Sequence, residues 1–145
     1  MQTANPWNSY RRITTLTAPP GQIILMLYEG ALRSLERSLP GFSHADPGEA
    51  NMTVHNNLQR AQEIIRELNC ALNMEQGGEI ASTLRRLYDY FDRRLRESNV
   101  KKESTGVKEV IRHLTVLRDA WASMLQDQNP LPMALPAESP AFATA

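Results

Sequence analysis

Apolar residues recur every three to four positions along four long stretches of this chain, and clusters of helix breakers separate those stretches. Side chains at that spacing fall on one face of a helix, which turns about 100° per residue. A strand would need alternation in twos between paired turn residues, and no such run is sustained. The first predicted helix runs from Pro19 to about Leu39, with Thr17 as its cap and two prolines in the opening turn, where they are tolerated. It stops at "PGFSHADPGE". The second runs from about Pro47 to Leu72, on a seam of Val54, Leu58, Ala61, Ile65, Leu68 and Leu72, and ends at "NMEQGG". The third covers Glu79 to Asn99, with Ile80, Leu84, Leu87, Tyr88, Phe91 and Leu95 on one side. The fourth follows "KKESTG" and carries Val107, Val110, Ile111, Leu114, Leu117, Trp121 and Leu125.

Four long helices, each with one apolar stripe and short connections, predict an all-α fold arranged as an antiparallel four-helix bundle. The 145 residues suffice for one domain with a real core. That domain is expected over residues 1–129, with an N-terminal segment bearing Trp7, Tyr10, Ile13 and Leu16 packed against the bundle. Residues 130–145, "PLPMALPAESPAFATA", hold four prolines and one charge, and are expected to form a disordered tail.

The first helix has more apolar surface than one seam needs. Ile24, Tyr28, Ala31 and Leu35 share a face, and Leu27 and Leu32 flank it. Ile23, Leu25 and Met26 point elsewhere, so the first two turns are apolar nearly all round. The outer face calls for a cover: the N-terminal segment, a second copy or a partner chain. Gly30 lies on the flank of Ile23, either to let another backbone approach or as an incidental residue. In the third helix, "LYDYFDRRLRESNVKK" divides by helical angle. Leu84, Tyr88, Phe91 and Leu95 form the seam. Asp89 with Arg93, and Asp92 with Arg96, are spaced as surface pairs worth ~0.2–0.5 kcal/mol each. Leu87, Tyr90, Arg94 and Lys101 run along one edge, which reads either as a binding edge or as the bundle margin with Arg94 snorkelling.

The chemistry of sites is poorly represented. Asp89 and Asp92 each have an arginine one turn on, which favours the ionised carboxylate over a poised acid. His44, His55 and His113 fall in a loop and on two different helices, with neither a zinc-binding nor a di-iron spacing. Glu109 and His113, four apart, read as a surface pair. Cys70 is the only cysteine, expected beside the apolar stripe as a small buried or half-buried side chain, and it excludes an internal disulfide. No phosphate-cradling glycine loop occurs. A non-enzymatic protein with no metal or cofactor is expected. The 16 basic and 16 acidic residues cancel, so there is no global pull toward nucleic acid or an anionic membrane. Residues 85–118 hold ten basic and five acidic side chains, but the acids are interleaved. The longest apolar run, "IILMLY", is far short of a membrane span, and "MQTANPWNSYRR" has no basic-then-apolar leader. A cytoplasmic protein with neither nucleic-acid binding nor membrane insertion is expected.

The same stretches resemble the flagellar secretion chaperones that bind flagellin. "LYDYFDRRLRESNVKK" is similar to the third-helix signature of that family and "APPGQIILMLYEGALRSLERS" to its first helix. "NNLQRAQEIIRELNCALNMEQGGEIASTLRRLYDY" resembles the run from second helix into third, and "LRDAWASML" fits the fourth less specifically. The likeness covers about residues 7–126. It implies a small antiparallel helical bundle that binds the disordered C-terminal segment of flagellin in the cytoplasm. Such binding prevents premature polymerisation and keeps the subunit exportable by the flagellar type III secretion apparatus. It also implies that the N-terminal stretch can occupy part of the groove when flagellin is absent. Tyr10, Leu16, Leu27, Tyr28, Leu87 and Tyr90 align with family positions that form or border the bundle surface. With Ile23 and Met26 on the outer face of the first helix and Arg94 on the edge of the third, they make the candidate protein-binding set. Other flagellar export or regulatory proteins are further candidate partners, as is a second copy of the chain. Ser98 stands where the family often has alanine, and Trp7 where it commonly has tyrosine. The competing reading is an oligomeric helical scaffold without flagellin specificity.

Overall fold

The computed structural model describes residues 20–43 and 46–128. Thr17, Tyr10, Leu16, the N-terminal segment and the proline-rich tail lie outside the described residues. Four helices make up the described chain: α1 Pro20–Ser38, α2 Pro47–Cys70, α3 Gly78–Lys101 and α4 Thr105–Gln128, with a short 3-10 helix at Leu39–Ser43 between α1 and α2. No strand is formed among the described residues.

Local chemistry explains where the helices begin and end. Pro47 sits at the opening of α2, where its missing N–H costs nothing, and the Asp46 carboxylate accepts from the Gly48 N–H at 3.0 Å. α3 starts at Gly78 with φ of 55°, a left-handed turn that glycine adopts without strain. α3 closes on Lys102, also left-handed at φ 54°, whose N–H returns to the Ser98 carbonyl. Three residues then suffice to turn the chain into α4.

The helices share one hydrophobic core. α1 packs on α2 and α4, and α3 packs on the same two, so α1 and α3 face each other diagonally. Their centre is marked by Tyr28 of α1 and Tyr88 of α3, both buried, with hydroxyls 2.6 Å apart. Around them lie Leu35, Leu58, Ile65, Leu68, Phe91, Leu95, Val107 and Leu114, all at most 2 % exposed. Each large side chain so buried contributes about 1.5–3 kcal/mol. The Trp121 indole N–H donates to the Gly21 carbonyl at 2.8 Å and ties the end of α4 to the start of α1. Polar residues at the helix contacts run in series. Across α2 and α3, His55 meets Asn99, Gln62 donates to Asp92, and Arg85 donates to Asn69. Across α3 and α4, Arg94 meets Glu109, and the rings of Phe91 and His113 stack at 5.9 Å.

Three expectations need correction. Ile80 is 59 % exposed and the inward position in that turn belongs to Ala81, because the opening residues 78–80 of the helix face solvent and no neighbour among the described residues covers the seam there. Cys70 is exposed at the last position of α2, and the chain then turns so that Leu72, beyond the helix, enters the core. Asp92 pairs with Arg96 as spaced, but Asp89 accepts from the Asn69 amide at 3.1 Å and Arg93 lies over the Tyr90 ring, 5.6 Å from its centroid. A partner on the neighbouring helix thus displaces the intrahelical one.

Candidate interaction surfaces

The α1 face opposite the core is built from residues that the helix has nowhere else to put. Ile24, Leu27, Tyr28, Ala31, Leu32 and Leu35 already fill the inward arc and are buried. Ile23, Leu25 and Met26 are left on the remaining arc, all three half-buried. Ile23 and Leu25 still pack partly on the core, whereas Met26 is not among the side chains packed on it. Leu27 and Tyr28, two of the candidate binding residues, are 5 % and 2 % exposed. In this arrangement they shape the wall from within. Gly30 is buried as well.

The α3 edge is organised by a residue on another helix. Glu109 of α4 accepts the Tyr90 hydroxyl at 2.7 Å on one carboxylate oxygen and the Arg94 Nε–H at 2.7 Å on the other. Arg94 also donates to Glu97 at 2.7 Å. The Tyr90 hydrogen bond, then that from Arg94, holds the Glu109 carboxyl below its usual range, while the same carboxylate pushes the Tyr90 phenol up. His113 Nε2 stands 3.9 Å from Glu109, the surface pair expected from their spacing. Leu87 is half-buried and packs on the core. Tyr90 and Arg94 therefore point their polar ends at α4 and fasten the α3–α4 contact. The acid that binds them was visible in the sequence only as a partner of His113; a tyrosine and an arginine four apart, followed by a tight turn and one acid, was the usable signal.

Outside this clamp, Tyr90, Arg93, Arg96, Val100 and Lys101 line an open hollow of about 580 Å³, and Arg94 and Glu97 complete its lining. It sits on the outer side of α3. Since α1 and α3 are diagonal partners, the hollow and the outer face of α1 lie on opposite sides of the molecule. The candidate residues thus fall into two separate surfaces, Ile23 and Met26 on one and Tyr90 and Arg94 on the other, with Tyr10 and Leu16 outside the described residues. Among the described residues, no group of three or more His, Cys, Asp and Glu side chains is placed to hold a metal ion, and no helix is long and apolar enough to cross a membrane.

The family model described as flagellar protein FliS matches residues 3–128. The chain belongs to the FliS family. A flagellar secretion chaperone FliS of Bacillus subtilis is 34 % identical over 129 residues, covering 89 % of this chain and 92 % of the relative. The protein of the same name in Salmonella typhimurium is 34 % identical over 129 residues, covering 83 % of this chain and 90 % of its own length. That of Escherichia coli is 30 % identical over 111 residues, covering 76 % and 79 %. The FliS match takes in all four helices and both surfaces, and residues 129–145 fall beyond it.

Proposed function

We propose that this chain is a cytoplasmic export chaperone for flagellin. It binds the disordered C-terminal segment of the newly made subunit, prevents premature polymerisation, and keeps the subunit competent for flagellar type III secretion. Membership of the FliS family and the names of its relatives support this reading. The observation that carries it in the structure is the apolar outer arc of α1, where Ile23, Leu25 and Met26 remain half-buried beside a complete core.

The physical task is to cover an apolar helical stripe on a chain that has no fold of its own. Ordering such a segment costs free energy, so the contact must be extended and modular rather than one deep pocket. A helix laid in an apolar groove meets that need, with anchors at three- and four-residue spacing. We read the scaffold beneath it as an antiparallel bundle. The supporting pairs are His55 with Asn99 and Asn69 with Arg85 across α2 and α3, and Arg94 with Glu109 and Phe91 with His113 across α3 and α4. In each series one number rises as the other falls. The role needs no catalysis. Tyr10 and Leu16 are assigned to the segment that covers the groove when no client is bound.

Size-exclusion chromatography with light scattering tests the reading. Mixed with its cognate flagellin, the chain should elute as a defined heterocomplex that is lost when the flagellin C-terminus is deleted. Self-association without any client complex would support the oligomeric scaffold instead.

A further inference from the structure

We propose that the hollow on the outer side of α3 is a second docking site, for an acidic peptide segment that carries an aliphatic or aromatic side chain among its carboxylates. The chain is neutral overall, but residues 85–118 carry ten basic and five acidic side chains, so α3 and α4 concentrate positive charge. Much of it is spoken for. Arg94 is held by Glu109 and Glu97, Arg96 by Asp92, and Lys101 stands 3.9 Å from Glu97. Arg85, Arg86 and Lys102 bond to Asn69, Thr83 and Asn99, and Arg118 to Asp119, which leaves Arg93, Lys108 and Arg112 with neither a carboxylate nor a side-chain hydrogen-bond partner among the described residues.

Their placement is ordered. Arg93 lines the hollow with its guanidinium 5.6 Å from the centroid of the Tyr90 ring, and Tyr90 is itself fixed by its bond to Glu109. A stacked guanidinium keeps its N–H edge free to take a carboxylate and loses little freedom in doing so. Lys108 and Arg112 lie on exposed α4 positions, one residue before and three residues after Glu109, so the helix that packs on α3 adds two exposed cations. Apolar surface accompanies the charge. Val100, in the wall of the hollow, is 78 % exposed, and Val116, one turn beyond Arg112, is 64 % exposed. Cations beside exposed valines match a partner with acids beside apolar side chains, and disfavour a purely anionic one. Complementary charge of this kind sets partner choice and association rate more than it sets raw affinity. The site lies across the molecule from the outer face of α1, so a segment bound here leaves that face open.

The probe is a fluorescein-labelled peptide of about a dozen residues in which Asp and Glu alternate with Leu and Phe. It is titrated by anisotropy against the whole chain without flagellin, so the result does not depend on the chaperone reading. Binding should weaken about tenfold in Arg93→Glu, about tenfold in Arg112→Glu, and further as salt shortens the screening length. Both side chains are exposed and have no carboxylate partner among the described residues, and unchanged circular dichroism and melting confirm the fold. A peptide with Lys and Arg in place of the acids should bind the double Arg93→Glu/Arg112→Glu variant better than it binds the parent chain. Val100→Ser should weaken the acidic peptide with no change in its salt dependence. Equal affinity in parent and charge variants overturns the assignment. So does equal or tighter binding of a single-stranded RNA dodecamer or of phosphatidylserine vesicles, which would make the site a general anion surface. In a preformed complex with flagellin the peptide should still bind, and its displacement there would return the hollow to the client surface.

Discussion

Replacing Tyr88 by phenylalanine removes one of two hydroxyls that meet at 2.6 Å between α1 and α3. The rings are 1 % and 2 % exposed, and each hydroxyl has only the other as hydrogen-bond partner among the described residues. The variant leaves the Tyr28 hydroxyl buried and unpaired, which costs about 1–3 kcal/mol. Tyr28→Phe should cost a similar amount for the same reason. The double variant removes both polar groups from a site whose shape is kept, so it should cost no more than one single variant, and the cycle should return a coupling of about 1–3 kcal/mol. Urea unfolding followed by circular dichroism at neutral pH measures this, with an unchanged denaturant slope showing that compactness is the same. A double variant as destabilised as the sum of the singles would refute the reasoning. The pair also predicts an alkaline limb. Burial pushes the Tyr28 phenol up from 10.0 to about 12 and pushes Tyr88 up as well. Above pH ~10 the unfolded chain gives up protons that the folded chain keeps, so stability is level below that pH and falls above it. The double phenylalanine variant should show a shallower fall.

Gly106→Ala would place a methyl group 2.5 Å from Ser98 Oγ and 3.0 Å from the Arg94 carbonyl oxygen. Backbone cannot yield cheaply, so a loss of about 1–3 kcal/mol in urea unfolding is expected, and an unchanged midpoint would contradict the close α3–α4 contact. Glu109→Gln should flatten the acid limb of stability. Tyr90 and Arg94 hold that carboxyl below 4.5, so its contribution is present above about pH 4.5 and is lost as pH falls through the folded value. The difference between parent and variant in urea unfolding should therefore shrink on acidification; a constant difference would count against it. Met26→Asp should weaken flagellin binding tenfold or more, about 1.4 kcal/mol, while leaving the helical spectrum intact. It is a cleaner probe than Ile23→Asp, because Ile23 packs partly on the core. Full affinity in a folded Met26→Asp chain would remove the outer face of α1 from the contact.

The four helices were legible because their periodicity is long and each seam is filled by large apolar residues. Val54, Leu58, Leu68, Tyr88, Phe91, Leu95, Val107 and Leu114 are all buried as their spacing predicts. Periodicity fails at helix ends, where one face need not be covered. That is why Ile80 is exposed and Ala81 takes its place, and why Cys70 is exposed while Leu72 beyond the helix is buried. The outer arc of α1 was legible as surplus, since helical angles alone show that Ile23, Leu25 and Met26 cannot join the inward face. The α3 edge was only half legible. Spacing put Tyr90 and Arg94 together, but their common partner Glu109 lies on the next helix, and local spacing carries no information about the pairing of helices. The same limit misassigned Asp89 to Arg93 when Asn69 stood closer in space. The diagonal Tyr28–Tyr88 bond and the tie from Trp121 to Gly21 span 60 and 100 residues, and follow only from the assembled core.

The most direct test is calorimetric titration of this chain with full-length cognate flagellin and with flagellin lacking its C-terminal segment. Saturable, stoichiometric binding with a negative heat-capacity change is expected for the full-length client, as apolar surface is buried and a segment becomes ordered. No binding is expected for the truncated one. Equal binding of the two would contradict the account.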